Sequence, residues 1–438
     1  MTAEGRIPFN GPLYGLSQLG LIVGTIPGLP KSFSIALLLP ILWISYHLIT
    51  QTTSGDLPVD VALGSAILTQ LMIGIDAMFL TNPDSLANLK ELSMKGKKVT
   101  EQPLKERVRF AFNLYVNPRG IGWAHEHRHL PSRPPPSMSP SAFALKRMSI
   151  ALACVLVECV AYSLNASNPG MTTPDLGLRH ATIAWRALGV LSFATAGAAR
   201  ICALNCVLAA LAVGLGFSTP NRWPWLFGNI TEAWSIQRFW RRVWHQLLRK
   251  SLVSATRFLL AVFGLSPPSS QSSLFYKFLF LYTAFFIIGL IHIGGEYMLL
   301  GRWYWDGAFA FFQLQAVGIT FEKLVCWLWT TRHGGGMPAM IKVRCDEQIS
   351  EPPHAKRNGH QASAAPRRLK VDEYVELEGL GAPPLWIRCV GYLWVASWFV
   401  WSLAFMIDPM TSTNIFVDPR VDLRRIVADR GKREVLRT

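Results

Sequence analysis

Phe278 to Gly295 reads FLFLYTAFFIIGLIHIGG, a stretch whose only titratable side chains are Tyr282 and His292, and the apolar run continues to about Leu300. A bilayer core is crossed by about 20 apolar residues in helical form, because a helix satisfies its backbone hydrogen bonds within one segment. The stretch therefore reads as a membrane-spanning helix and points to an all-α, polytopic integral membrane protein. A histidine at that depth costs free energy, so His292 marks a functional site by default. The plainer alternative is an imidazole that only hydrogen-bonds a neighbouring helix.

Working outward, half of the 438 residues are hydrophobic and 11% aromatic, yet the formal net charge is +16. Apolar and basic character must be separated in space, and a membrane separates them: apolar runs span the core while basic loops face anionic cytosolic leaflets. That accounts for the charge without nucleic acid as a partner. The cysteine count of seven is odd, and Cys154, Cys159, Cys202, Cys206, Cys326 and Cys389 fall in apolar segments, so no disulfide framework is implied. Cys202 and Cys206 are one helical turn apart, but without His or acidic neighbours on that face they read as packing. The N-terminal residues lack a basic region and a cleavage site, so an internal segment is expected to direct insertion.

About eight transmembrane helices are expected, within a range of seven to nine. Leu13 to Leu29, Phe33 to Ile49 and Val59 to Leu80 form an N-terminal group in residues 1–80. Residues 81–145 are a basic loop, with Lys95, Lys97, Lys98, Lys105, Arg107, Arg109, Arg119, Arg128 and Arg133, broken at Pro134-Pro135-Pro136, and read as cytosolic. A membrane core over 146–330 holds Met148 to Leu164, Ala187 to Phe217 as a return span or a broken pair interrupted by Arg200, the short piece Leu252 to Leu265, the His292 segment, and Ala308 to Trp329. Residues 331–385 form a polar insert with Gly334-Gly335-Gly336, flexible in composition, and 386–438 hold the last span, Trp386 to Ile407, and a basic tail. Insert and tail are both rich in Lys and Arg with one span between them. Either one of them is not cytosolic, or that span does not fully cross, or Leu252 to Leu265 enters without crossing. Asn165-Ala166-Ser167 is a sequon in a loop expected to face the lumen, which makes Asn165 a candidate glycan site in an endoplasmic reticulum membrane protein; a chance sequon is the alternative. Asn229-Ile230-Thr231 lies in a basic loop and is expected to stay unused.

Trp223 to Lys250 reads WPWLFGNITEAWSIQRFWRRVWHQLLRK. Phe239, Trp240, Val243 and Trp244 set large apolar surface beside Arg241, Arg242, Arg249 and Lys250, the composition of a helix lying at the membrane interface. His245 closes that aromatic run, and an interfacial histidine without chemistry is its plain reading. On the His292 helix, Glu296 follows one turn later on the same face, where a carboxylate could orient the imidazole or raise its basicity. Glycines on that face let a backbone or a ligand come close.

These residues carry a specific resemblance. Arg119-Gly120-Ile121-Gly122-Trp123, running on to Pro131, resembles the RGIGW segment of fungal wax-synthase-like proteins in the membrane-bound O-acyltransferase superfamily. Phe239 to Gln246 resembles that group's FWGRRWHQ-type motif, Ile288-Gly289-Leu290-Ile291-His292 the S-G-L-x-H end of its F-x-x-S-G-L-x-H, and Asp76 to Pro83, DAMFLTNP, a segment before the first loop. The four occur in the family's order over roughly residues 70 to 300. Arg241 stands where the family often has Gly, and Ile288 where it often has Ser. The second Trp after RGIGW is replaced by His125, giving His125, His127 and His129 in alternation; such histidines could bind a metal, but a solvated loop is the plainer reading and no metal is expected.

The resemblance implies acyl transfer from an acyl-coenzyme A to a hydroxyl, with acetyl-CoA as co-substrate and no permanently bound cofactor. His292 would be the general base, since an imidazole in apolar surroundings stays neutral near pH 7 and can accept an alcohol's proton. His245 would polarise the thioester carbonyl or stabilise its oxyanion. Arg241 and Arg242, with Trp244, and Arg249 and Lys250 beside them, are candidates for binding coenzyme A phosphates, with positive-inside anchoring as the competing reading. Fungal members of this length include acetyltransferases of terpenoid and meroterpenoid biosynthesis. Acetyl transfer to a terpenoid-type hydroxyl is therefore expected, the apolar acceptor arriving from the bilayer and coenzyme A from the basic cytosolic side. Long-chain wax ester or sterol ester synthesis is the alternative. A polytopic transporter, in which intramembrane His and Glu also occur, is the rival of another class, followed by a non-catalytic scaffold.

Overall fold

A computed structural model of the chain describes residues 5–82, 98–123, 126, 130–135, 137–173, 176–265, 274–332, 384–413 and 415–417. Apart from a two-residue parallel pairing of Ile7–Pro8 with Thr52–Thr53, its described regular elements are helices. Asn10 opens α1 (Gly11–Gly24), accepting from the Leu13 amide, with Pro12 in the first turn, where an amide would have no helical partner. After the Gly28 turn comes α2 (Lys31–Gln51), and Asp56 caps α3 (Leu57–Ile75) by accepting from the Val59 amide. The loop helix α4 (Leu104–Val116) precedes the long helices α5 (Pro140–Ala166) and α6 (Ile183–Gly214). They are followed by α7 (Arg249–Val262), α8 (Leu274–Leu300), α9 (Ala308–Arg332) and α10 (Leu385–Thr411).

Among the described residues, six helices are long and apolar enough to cross a membrane: Lys31–Gln51, Leu57–Leu80, Ile183–Gly214, Leu274–Leu300, Ala308–Trp329 and Leu385–Thr411. Helix α5, at 27 residues about 40 Å long, also has the length, and its Leu152, Leu156 and Val160 are exposed as on a lipid-facing side. One expected span was lost where the apolar run proved short. Leu13 to Leu29 yields the 14-residue α1, about 21 Å and so shorter than a bilayer core; the short piece Leu252 to Leu265, never counted as a full span, falls largely in the equally short α7. Ala187 to Phe217 lies mostly in one unbroken helix of 32 residues, with Arg200 inside it. The sequon asparagine, Asn165, is not in a lumenal loop: it sits in the last turn of α5, 1% exposed, and accepts a hydrogen bond from the Ser192 hydroxyl. In the folded chain that side chain has almost no exposed surface to carry a glycan.

Helix pairs organise the molecule: α5 against α6, α3 against α8, α8 against α9, and α9 against α10. The α3–α8 contact is backbone to backbone. Gly64 lies against the Gly294 carbonyl and Gly295 amide, and Gly295 against Ser65 and the Val61 carbonyl, so any side chain at these glycines would strike main chain. The glycines beside His292 thus serve the approach of α3. At the end of α3 the chain winds into a π-helical turn, Asp76–Leu80. There Asp76, buried, receives Lys250 Nζ at 2.6 Å and the Thr81 hydroxyl at 2.9 Å, which ties α3 to the start of α7.

Candidate active site

Helices α3, α5, α6, α8, α9 and α10 and the Trp223–Lys250 segment surround a largely apolar cavity of about 1580 Å³. His292 and His245 both line it. The volume exceeds that of an ordinary small-molecule site, roughly 300–1,000 Å³, and leaves room for two substrates at once.

On α8, His292 Nδ1 lies 2.9 Å from the Ile288 carbonyl oxygen. A carbonyl only accepts, so Nδ1 carries the proton and donates it, and Nε2 keeps the lone pair. The ring packs on Phe312 of α9, centroids 4.5 Å apart. Glu296 is not its partner, contrary to the expectation from helical spacing. That carboxylate turns to the start of α9 and accepts from the Ala308 amide at 2.6 Å, in space that Gly307 leaves by having no side chain. A helix N-terminus offers unsatisfied N–H groups and positive potential, and it takes the carboxylate that the imidazole does not need. The imidazole is oriented by its own helix backbone.

The segment bearing His245 is built around a second π-helical turn. Ser235 caps the single turn Ile236–Arg238, and Glu322 of α9 accepts from the Ile236 and Gln237 amides at 2.6 and 3.2 Å. The chain then widens into the π-helix Phe239–Val243, closed by the Trp244 amide on the Phe239 carbonyl. Gln246 folds the chain back, donating to the carbonyls of Trp240 (2.9 Å) and Trp244 (2.7 Å). This is not the interfacial helix that the composition suggests. Trp240 packs among Phe285, Phe311, Phe312 and Phe399 inside the bundle. Gly228 lies so close to the Arg242 carbonyl that no side chain fits there, which brings Phe227 over Trp244 and His245. Among the described residues His245 Nδ1 has no hydrogen-bond partner. Burial, with the Arg119 guanidinium adding positive charge nearby, pushes its pKa down to about 4, so the ring is neutral at pH 7.

The RGIGW segment braces this loop from outside. Gly120 (φ 63°) and Gly122 (φ 81°) adopt left-handed conformations that favour glycine, and the Asn117 amide brackets the turn by bonding both N and O of Ile121. Arg119 is thereby aimed at the Trp225 carbonyl, to which it donates at 2.9 Å. Arg147 donates to the Trp223 carbonyl and lies over the Trp225 ring.

One region of the wall is cationic. Arg241, Arg249, Lys277 and Lys323 line the cavity, and Arg241 and Lys277 are near enough to Lys323 to repel its charge. Trp244 lines it as well. Two of the expected cations are engaged elsewhere: Arg242 pairs with Glu232 at 3.4 Å, and Lys250 with Asp76. Lys277 and Lys323 escape a sequence reading because a lysine near a span end looks like a side chain snorkelling to the interface. The alternating His125, His127 and His129 lie outside the described residues.

Residues 223–314 match the family model described as the membrane bound O-acyl transferase family, a region that contains both cavity histidines. The acetyltransferase ple2 of Rhodocybe pseudopiperita is 30% identical over 282 residues, covering 64% of this chain and 72% of that protein. The acetyltransferase eriL of Hericium erinaceus is 27% identical over 414 residues, 92% of this chain and 91% of that protein. The O-Mevalon transferase macI of Penicillium terrestre is 28% identical over 281 residues, 61% of this chain and 64% of that protein. No solved structure matches the chain.

Proposed function

The chain belongs to the membrane bound O-acyl transferase family, and from that premise and the cavity's geometry we propose that it transfers acetyl from acetyl-CoA to a hydroxyl of an apolar, terpenoid-type acceptor in secondary metabolism. Membership makes it a multi-pass membrane acyltransferase, and the transporter and scaffold readings fall with it. The observation that carries the finer reading is the meeting of His292 and His245 on one apolar cavity beside a cationic wall. The relatives ple2 and eriL, both named acetyltransferases, support acetyl as the group moved.

In the proposed reaction His292 Nε2 takes the acceptor's hydroxyl proton as the oxygen attacks the thioester carbonyl. The neutral His245 ring supplies one N–H to the developing oxyanion. Collapse of that intermediate forms the ester, breaks the C–S bond and releases the coenzyme A thiolate, which recovers the proton from His292. Arg241, Arg249, Lys277 and Lys323 hold the phosphates, and Trp244 packs beside them. The endoplasmic reticulum is the membrane we assign, where coenzyme A approaches from the cytosol and the acceptor from the bilayer.

The test is expression in a yeast lacking the activity, with microsomes given acetyl-CoA and a panel of alcohols: farnesol, geranylgeraniol, epiandrosterone and the same steroid without its ketone. Acetyl esters that depend on the chain are expected. Esters from long-chain acyl-CoA alone would replace acetyl with a wax-ester or sterol-ester assignment, and absence of any ester would sink the reading.

A further inference from the structure

The cavity wall contributed by α5 and α6 is polar where most of the lining is apolar. Arg200 lies mid-way along α6, where a charge is expensive and is kept when it serves a function. Its Nε donates to Glu158 Oε1 at 2.6 Å and its Nη2 to the Tyr162 hydroxyl at 2.8 Å, both on α5. That pairing neutralises the guanidinium and occupies one edge of it. Among the described residues nothing engages Nη1, and 40% of the Arg200 side chain stays exposed. Arg200, Tyr162 and Asn165 all line the cavity. A clamp between α5 and α6 is not needed, because the two helices already pack along much of their length.

We propose that Arg200 is a specificity-determining residue: its outward edge donates to a second oxygen of the acceptor, a carbonyl or hydroxyl remote from the reacting one. This rests on the acyl-transfer reading and narrows its substrate class to rigid alcohols carrying at least one further oxygen. A guanidinium N–H in a water-poor chamber makes a charge-assisted bond. An acceptor lacking the oxygen leaves that donor unpaired, which is where a site discriminates most strongly.

The test uses the full chain in microsomes with epiandrosterone and the same steroid without its ketone, which share skeleton and reacting hydroxyl. Wild-type kcat/KM is expected to favour epiandrosterone by roughly tenfold or more. The double variant Glu158→Gln/Arg200→Gln removes both charges together, so that neither is stranded, and brings the ratio close to one. Arg200→Lys keeps a charge opposite Glu158 but loses the planar fork; it lowers the ratio partway and carries the test if the double variant does not accumulate. A wild-type ratio near one, or an unchanged ratio in whichever variant accumulates, overturns the proposal and leaves acyl transfer standing. No ester from either steroid or any other alcohol of the panel removes both.

Discussion

His292 holds its proton on Nδ1 against the Ile288 carbonyl, a partner that no side-chain substitution removes. Its reactivity should therefore depend on the ring alone. We expect His292→Ala to reduce ester formation to the background of untransformed microsomes, and His245→Ala to lower kcat by about 10² or more, with protein levels matched by immunoblot. Because His245 is neutral down to about pH 4, its protonation cannot produce an acid limb between pH 5 and 8. The kcat/KM profile of His245→Asn should fall in magnitude without shifting along the pH axis; a shifted limb would assign that titration to His245. The linkage sign is that of a group whose folded pKa lies below its unfolded value of about 6.5: for a histidine, the stability it allows is full above that value and is lost as pH drops toward 4. Both histidines were legible from apolar context and motif order. Glu296 was misread because helical spacing says which residues share a face and not which acceptor or donor across the bundle competes for them.

At the scale of elements, close backbone approach and one buried ion pair do most of the positioning. Gly64→Val forces a side chain into the Gly294 carbonyl and parts α3 from α8 beside His292, at a cost of about 1–3 kcal/mol for overpacking. Gly15→Ala in α1, where nothing lies within 4 Å, is the matched control. Melting in detergent should separate the two, the first losing several degrees and the second none. Asp76→Ala strands Lys250 and should cost about 3–5 kcal/mol, whereas Asp76→Asn/Lys250→Met costs less because no unpaired charge is left. A double variant as unstable as the single would deny the pair its role. The apolar helices were legible from run length, with one short run, Leu13 to Leu29, overcounted. The Trp223–Lys250 segment was not, since aromatic-basic composition describes an interfacial helix and a folded-back core loop equally well, and only Trp240 meeting Phe285, Phe311, Phe312 and Phe399 decides between them.

For the whole molecule, charge and cavity combine into a division of labour. Arg241, Arg249, Lys277 and Lys323 come from the folded-back Trp223–Lys250 segment and the ends of two spans, so their convergence is a property of the bundle and could not be read from any one segment. We expect Lys277→Gln/Lys323→Gln to raise the KM for acetyl-CoA about tenfold, an amount typical of lost charge-assisted bonds. Acetyl-pantetheine, which lacks the phosphates, should be used equally well by both proteins; equal losses with the two thioesters would place the lysines outside the phosphate site. The two π-helical turns, Asp76–Leu80 and Phe239–Val243, lie on either side of the Asp76–Lys250 link. A π turn holds one residue more than the α-helix around it expects, so each is a phase error that the chain keeps. Deleting Arg242, which does not line the cavity, would restore the phase and swing His245 by about 100°, disarming the site without removing one side chain that lines it.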